Sequence, residues 1–585
     1  MRSLFTLAFA VLIAAPSPAQ HLSADGAPQT FHFFSDQYFD DYFKFNPTAG
    51  TAAGFHDFDP ELEDYSATSI AAQVAWLHGV DKKLAPIDPK ALDAADAADL
   101  QILVNSIHSQ LLSLETIRNW EKNPDAYSTG ITNSIFTIME REYASANIRL
   151  RAVIAREQHM PQVLLEARKN LKNPPRIFTE IALEQIDGDI SFFQNDVPTA
   201  FATATDPKAK ADFARTNAAV IQALKDYGAW LKADLLPRSS GDFKLGADTF
   251  AKKLLYDEMV DIPLDRLLEV AYADLHKNQA EFARIAKEID PSKTPAQVLA
   301  ELSSLHPAPD QLLSSFQQTF DSLTTFIRQH HIVTIPSTLQ PVLEETPPFL
   351  RATTSASMDS PGPYETHSTK AYFNVTLPEK EWSAAKAADY MTAFNVGTII
   401  STSVHEAFPG HYVQFLYSPG FPSKIRKLIN SSTNAEGWAH YCEQMMLDAG
   451  YAAAPPDATA EQLKQARLIH LGQLQDALLR DARFVVAIKL HTGQMTFDQA
   501  VDFFLKEGYQ TQQTALIETK RGTSDAGYLC YTVGKLQIMK LREDLKKKQG
   551  AQFSLQQFHD AFLKQGPTPL KVIRKAMLHD DSPTL

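Results

Sequence analysis

The sequence predicts a mainly α protein: a large helical body enclosing a cleft, with a small β-sheet next to the helix that carries the chemistry. Three observations lead there. From about Thr30 to Gln340, Ala/Leu-rich segments run at helical spacing with prolines between them. From Ile332 to Pro378 the pattern shortens to β-like pieces broken by Pro336, Pro341, Pro347 and Pro348. Helical text then resumes and ends in Ser403-Val404-His405-Glu406-Ala407-Phe408-Pro409-Gly410-His411-Tyr412-Val413-Gln414, the stretch around which the rest is organised.

Taken in order, the chain opens with Met1-Arg2, an apolar run from Leu4 to Ala15, then Pro16-Ser17-Pro18-Ala19. A basic start, a short apolar core and small residues before Gln20 read as a secretory signal over residues 1–19, so the protein is expected to be exported, to a periplasm or beyond. The run is too short for a comfortable membrane span, and no later stretch reaches the roughly 18 apolar residues a span needs, so stable membrane insertion is not expected. No cysteine lies near the cleavage point, which disfavours a lipid-anchored form. The 585 residues exceed one average domain and allow a large core. A net charge of −14, without a notable Lys/Arg cluster, disfavours nucleic acid as a partner.

Phe31 to Phe45 is an aromatic-rich amphipathic helix ended by Asn46-Pro47, and Gly54-Phe55-His56-Asp57 follows as loop, with His56-Asp57 read as a capping or packing feature. Further helices are expected at 69–83, 92–114, 144–172, 180–195, 206–236 and 264–289. Strands are expected at 332–335, 350–353 and 371–376, forming a sheet that either edges the cleft or only covers the core. One helix is then expected from Trp382 to Phe408, others at 462–490, 497–507 and 527–546, with Thr433 or Asn434 able to cap the helix after the central motif. No repeat or low-complexity linker divides the chain. Residues 20–340 read as the helical body and 341–585 as the catalytic region of one continuous unit.

The central stretch has the makings of a zinc hydrolase site. Imidazoles bind Zn²⁺ well, and a glutamate beside the first can take a proton from water on the metal. His405 and His411 are six apart rather than the four of H-E-x-x-H. On an unbroken helix they would be about 120° apart around the axis and about 9 Å apart along it, too far to share an ion. Pro409 and Gly410 are the residues that can break the helix and swing His411 back. The best third ligand is Glu436, with His440 and Glu443 as rivals on the same helical face, one of which could instead hold a ligand histidine from behind. Two His and one Glu with an open position make a catalytic rather than a structural set. Cys442 and Cys530 could pair or stay as two buried thiols. Hydrolysis also needs an oxyanion donor, for which Tyr528 and Tyr531 are the phenolic candidates.

His405-Glu406-x-x-Pro409-Gly410-His411-x-x-Gln414 followed by Glu436-Gly437-Trp438-Ala439 resembles the DUF885 family, a large bacterial family of uncharacterised, usually exported proteins that are themselves similar to gluzincin metallopeptidases. The likeness continues through Asp481-Ala482-Arg483 and Gly527-Tyr528-Leu529-Cys530-Tyr531-Thr532-Val533-Gly534-Lys535, and reaches back to Gly54-Phe55-His56-Asp57. It favours Glu436 as third ligand, with Gly437 allowing close approach to the metal helix, and Tyr531 as the phenol. It also matches Arg483, His491, Glu518 and Arg521 to family positions. Arg483 or Arg521 could hold a substrate carboxylate or belong to a structural ion pair, and His491 and Tyr528 join them as substrate-binding candidates. The chain departs from relatives at Asp525-Ala526, where they often carry proline. The resemblance implies a gluzincin-like fold and a zinc peptidase acting on short peptides, with Glu406 as base. An amidase or esterase with a non-peptide substrate would use the same chemistry. A metal-stabilised binding protein would need the ligands but not Glu406.

Overall fold

The computed structural model describes residues 27–347, 351, 354–380 and 382–585. The expected signal segment and most of the expected strand 350–353 lie outside the described residues. The fold is mainly α with one small sheet. The long helices fall where the periodicity puts them: Ala67–Leu84, Ala146–Asn170, Leu264–Ile289 and Ala460–His491, for example. No helix among the described residues is long and apolar enough to cross a membrane.

Three strands, β1 (Val342–Glu345), β2 (Ala356–Asp359) and β3 (Tyr372–Val375), pair in the order β1-β3-β2. β1 runs parallel to β3 with Val342 opposite Tyr372, and β2 antiparallel with Ala356 opposite Val375. β3 is buried from Phe373 to Val375, and Phe373 packs on Phe316 and Phe320 of helix Leu312–Gln329. The same core takes in Phe394, Phe408 and Trp438, which tie the sheet to the central motif. β2 packs on helix Val396–Glu406. The expected strand at 332–335 does not form. Ile332 and Val333 are buried without a partner strand, and the Ile332 carbonyl accepts a hydrogen bond from His559 instead.

The helix expected over 382–408 is two helices, Ala384–Met391 and Val396–Glu406. Asn395 restarts the second: its side-chain oxygen accepts from the Gly397 and Thr398 N–H groups, satisfying donors that a helix start leaves open. Thr433 and Asn434 do not cap the helix that carries Glu436, Ser432–Asp448. That end is held by Glu258, whose buried carboxylate accepts from the Ser431 and Thr433 hydroxyls and from the Ser432 and Thr433 N–H groups. A carboxylate here also complements the helix dipole.

Gly437 does give close approach, but to the last long helix, Cys530–Gln549, rather than to the metal helix. A Cβ on Gly437 would stand 2.5 Å from Gly534 Cα, and one on Gly534 would stand 1.8 Å from the Thr433 carbonyl oxygen. Gly534→Ala must therefore part the two helices. We expect it to destabilise the protein by about 1–3 kcal/mol, the usual scale of overpacking, read as a lowered melting temperature. An unchanged melting temperature would mean the pair has room to move.

Buried charges cross from the N-terminal part of the chain to the C-terminal part. Lys535 bonds Asp274 at 2.7 Å, Asp481 accepts from Asn278 at 2.7 Å, and Arg426 pairs with Asp99 at 2.7 Å. His56 packs as expected: it lies between Asp59 and Glu365 at 3.1 and 3.0 Å and stacks on Tyr143, pinning the N-terminal loop to the segment between β2 and β3. Cys442 and Cys530 are buried free thiols and do not pair.

Candidate metal centre

Helix Val396–Glu406 stops one residue after His405, and a short helix, His411–Leu416, starts at the second histidine. Between them the Ala407 and Phe408 N–H groups both turn back to the Ser403 carbonyl, and Gly410 donates to the Val404 carbonyl at 2.9 Å. The Phe408–Pro409 peptide is cis. A Cβ on Gly410 would fall 1.7 Å from the His405 carbonyl oxygen, so only glycine fits this return. Trp438 braces the turn, donating its indole N–H to the Pro409 carbonyl at 2.9 Å.

The result is convergence. His405, His411 and Glu436 each offer one ligand atom, and these atoms lie within 4.8 Å of one another. The two imidazole rings stand at 89° with centroids 4.8 Å apart. Glu436 Oε2 is 3.3 Å from Nε2 of both, yet it is buried without the alignment of a hydrogen bond to either. Three lone-pair donors facing one point, with a buried oxygen left unsatisfied, fit a single cation with nitrogen and carboxylate ligands. No other group of three or more such residues converges this way among the described residues.

His405 is held from behind. Its Nδ1–H donates to Glu443 at 2.6 Å, which leaves Nε2 to face the cluster. Glu443 is fully buried and also accepts from Arg480 at 3.0 Å and His440 at 3.1 Å. The rivals for third ligand are thereby placed: Glu443 stands behind His405, and His440 behind Glu443. Burial opposes charge on His405, but contact with Glu436 and Glu443 outweighs it and carries its pKa up to about 9. Burial would raise Glu436 and Glu443. The histidines around Glu436, and Arg480 and His440 beside Glu443, instead hold both well below the usual carboxylate range. Carboxylates and imidazoles drawn this close need positive charge among them, and protons supply it when no cation does. Burial pushes His440 down to about 3, so it is neutral at pH 7. Glu406 lies beside His405, mostly buried, and its carboxylate makes no hydrogen bond among the described residues.

A family model described as "Bacterial protein of unknown function (DUF885)" matches residues 47–577. The chain belongs to the DUF885 family. Two solved structures share its fold. A "putative lipoprotein of unknown function" from Shewanella oneidensis is 27% identical with a TM-score of 0.76, covering 94% of this chain and 99% of its own. A protein from Colwellia psychrerythraea, also described as a putative lipoprotein, is 17% identical with a TM-score of 0.78 over the same shares. No curated protein matches.

Of the remaining candidate residues, Arg483 and Arg521 group around Tyr531. Its ring stacks on that of His405 at 6.2 Å, and its hydroxyl accepts from Arg521 at 3.3 Å. Burial, with Glu436 nearby, raises the phenol's pKa, so it stays a proton donor. Arg483 is locked in a two-bond fork with Glu518 at 2.6 and 2.8 Å and lies over the Tyr531 ring. His491 and Tyr528 are enclosed. His491 donates to the Gly522 carbonyl at 2.8 Å and packs against Phe243 and Phe250, while Tyr528 is buried against Gly522. Neither side chain faces the cluster from solvent, so direct substrate contact does not fit either. Arg480 went unnoticed in the sequence. It lies three residues before Arg483, one turn back on the same helix, and joins Glu443 to the Tyr531 ring.

Proposed function

We propose that this DUF885 protein is an exported zinc-dependent peptidase acting on short peptides. The convergence of His405, His411 and Glu436, with an uncommitted glutamate beside the first ligand, carries the reading. Zn²⁺ would be held by those three residues. When bound, the ion supplies a Lewis acid that polarises a carbonyl and lowers the pKa of water. Glu406 takes the proton from the attacking water and passes it to the leaving amine. Tyr531, kept protonated, donates a hydrogen bond to the developing oxyanion. Glu443 fixes the His405 ring and its tautomer. The outer strand β2, packed on the helix that ends in His405 and Glu406, offers an edge along which an extended peptide could lie. The signal-like residues 1–19 and the lipoprotein descriptions of the two solved relatives support export.

The direct test joins elemental analysis to a peptide-library digest. About one zinc per chain and cleavage abolished by a chelator and restored by zinc are expected of a single site. Fully loaded protein that cleaves no peptide, amide or ester would turn the reading into that of a binding protein. Glu443→Gln should weaken zinc retention by roughly 10- to 100-fold, measured by competition with a chromogenic chelator, because the His405 ring loses its anionic partner, and should lower the melting temperature, because Arg480 loses its carboxylate.

A further inference from the structure

We infer that the site acts on peptides with a free C-terminal carboxylate, releasing the one or two residues at that end, and that Arg521 is the group that reads the carboxylate. This rests on the peptidase reading above. Three arginines crowd the Tyr531 ring, with guanidinium carbons 5.7, 4.9 and 5.9 Å from its centroid for Arg480, Arg483 and Arg521. Two are already committed. Arg480 is bonded to the fully buried Glu443, and Arg483 is forked onto Glu518, both side chains of that pair being 9% exposed.

Arg521 differs from both. Its side chain is 34% exposed, and its carboxylate partner is Asp525, one helical turn on and 40% exposed. Nε and one terminal nitrogen both reach the same Asp525 oxygen at 3.2 Å, a poorer geometry than a two-oxygen fork. An exposed pair of this kind is weak and readily exchanged. The second terminal nitrogen makes no bond among the described residues. Arg521 therefore keeps the donors of that nitrogen for an incoming carboxylate, and the two-bond fork forms when the carboxylate takes the place of Asp525 in the weak pair.

Position sets the mode of cleavage. The Tyr531 hydroxyl touches Arg521 while its ring lies against His405, so one side chain spans the gap between the guanidinium and the cluster. Successive Cα atoms are about 3.8 Å apart, which places a carboxylate on Arg521 within one or two residues of a carbonyl at the cluster. Cleavage adds water across that C–N amide bond. It leaves a shortened peptide acid and a free amino acid or dipeptide.

The test compares matched synthetic peptides, one ending as the free acid and one as the amide, with zinc-loaded wild-type protein and products read by mass spectrometry. The free acid should be cleaved with kcat/KM roughly 10- to 100-fold higher, the scale of a charge-assisted fork, and its products should be one or two residues from the C-terminus. Arg521→Gln should raise KM for the free acid and shrink the preference to within about threefold, while Arg521→Lys recovers part of it. Equal cleavage of the amide, cuts elsewhere in the peptide, or a preference that survives Arg521→Gln would overturn the inference and leave the peptidase reading standing. Failure of the loaded wild type to cleave either peptide would overturn the inference, and would remove the peptidase reading as well only where the peptide library is also left uncut.

Discussion

Glu406→Gln is expected to leave the protein folded and zinc-loaded while lowering turnover by about 10²-fold or more, the scale of general-base catalysis. Glu406 ends helix Val396–Glu406, beside a ligand but outside the converging set. Glutamine has nearly the same size and still forms hydrogen bonds, and the wild-type carboxylate holds no bond within the described residues whose loss could disturb the turn. Only proton acceptance is removed. Elemental analysis, circular dichroism and digestion of a peptide found with the wild type form the measurement. Wild-type turnover in Glu406→Gln would sink the assignment of the base.

His411→Ala should act differently. The turn that presents His411 is held by the Gly410 N–H on Val404 and by Trp438 on Pro409, neither of which involves the imidazole. The fold should therefore survive with a circular dichroism spectrum close to wild type. The metal should not, because two remaining ligands lose far more than the roughly 10- to 100-fold typical of an outer partner. Zinc content after dialysis should fall from about one per chain towards none, and activity with it. Glu436→Gln should follow His411→Ala rather than Glu406→Gln, since a neutral amide is a poor zinc ligand. Full metal retention in both would disprove the ligand set.

What could be read in the sequence was local. The pair of histidines and the Pro-Gly break between them lie within seven residues, and a break is all that is needed to bring them together, so motif and geometry were legible at once. Helix periodicity likewise placed Leu264–Ile289 to the residue. The missing pieces depend on partners far away in the chain. Glu258 caps a helix some 173 residues later, which no local capping pattern can announce. The close approach expected of Gly437 is made to Gly534 rather than to the helix of His405, because a glycine signals a close approach without naming its neighbour. The strand at 332–335 was expected from β-branched residues, but a strand also needs an edge to pair with, and β3 pairs with Val342–Glu345 instead. Whether Arg483 or Arg521 was free depended on Glu518 and Asp525, whose reach only the folded chain reveals.

The buried charges that cross the molecule limit how its gene can be cut. A fragment encoding residues 341–585 would contain His405, His411 and Glu436. It would also carry Lys535 without Asp274, Arg426 without Asp99, and helix Ser432–Asp448 without the Glu258 carboxylate. A buried charge stripped of its partner costs about 3–5 kcal/mol, and a domain's whole stability is only about 5–15 kcal/mol. Such a fragment would have no stable form to purify. These three residues sit within 405–436, yet the shortest reading frame able to present them runs back at least as far as Asp99.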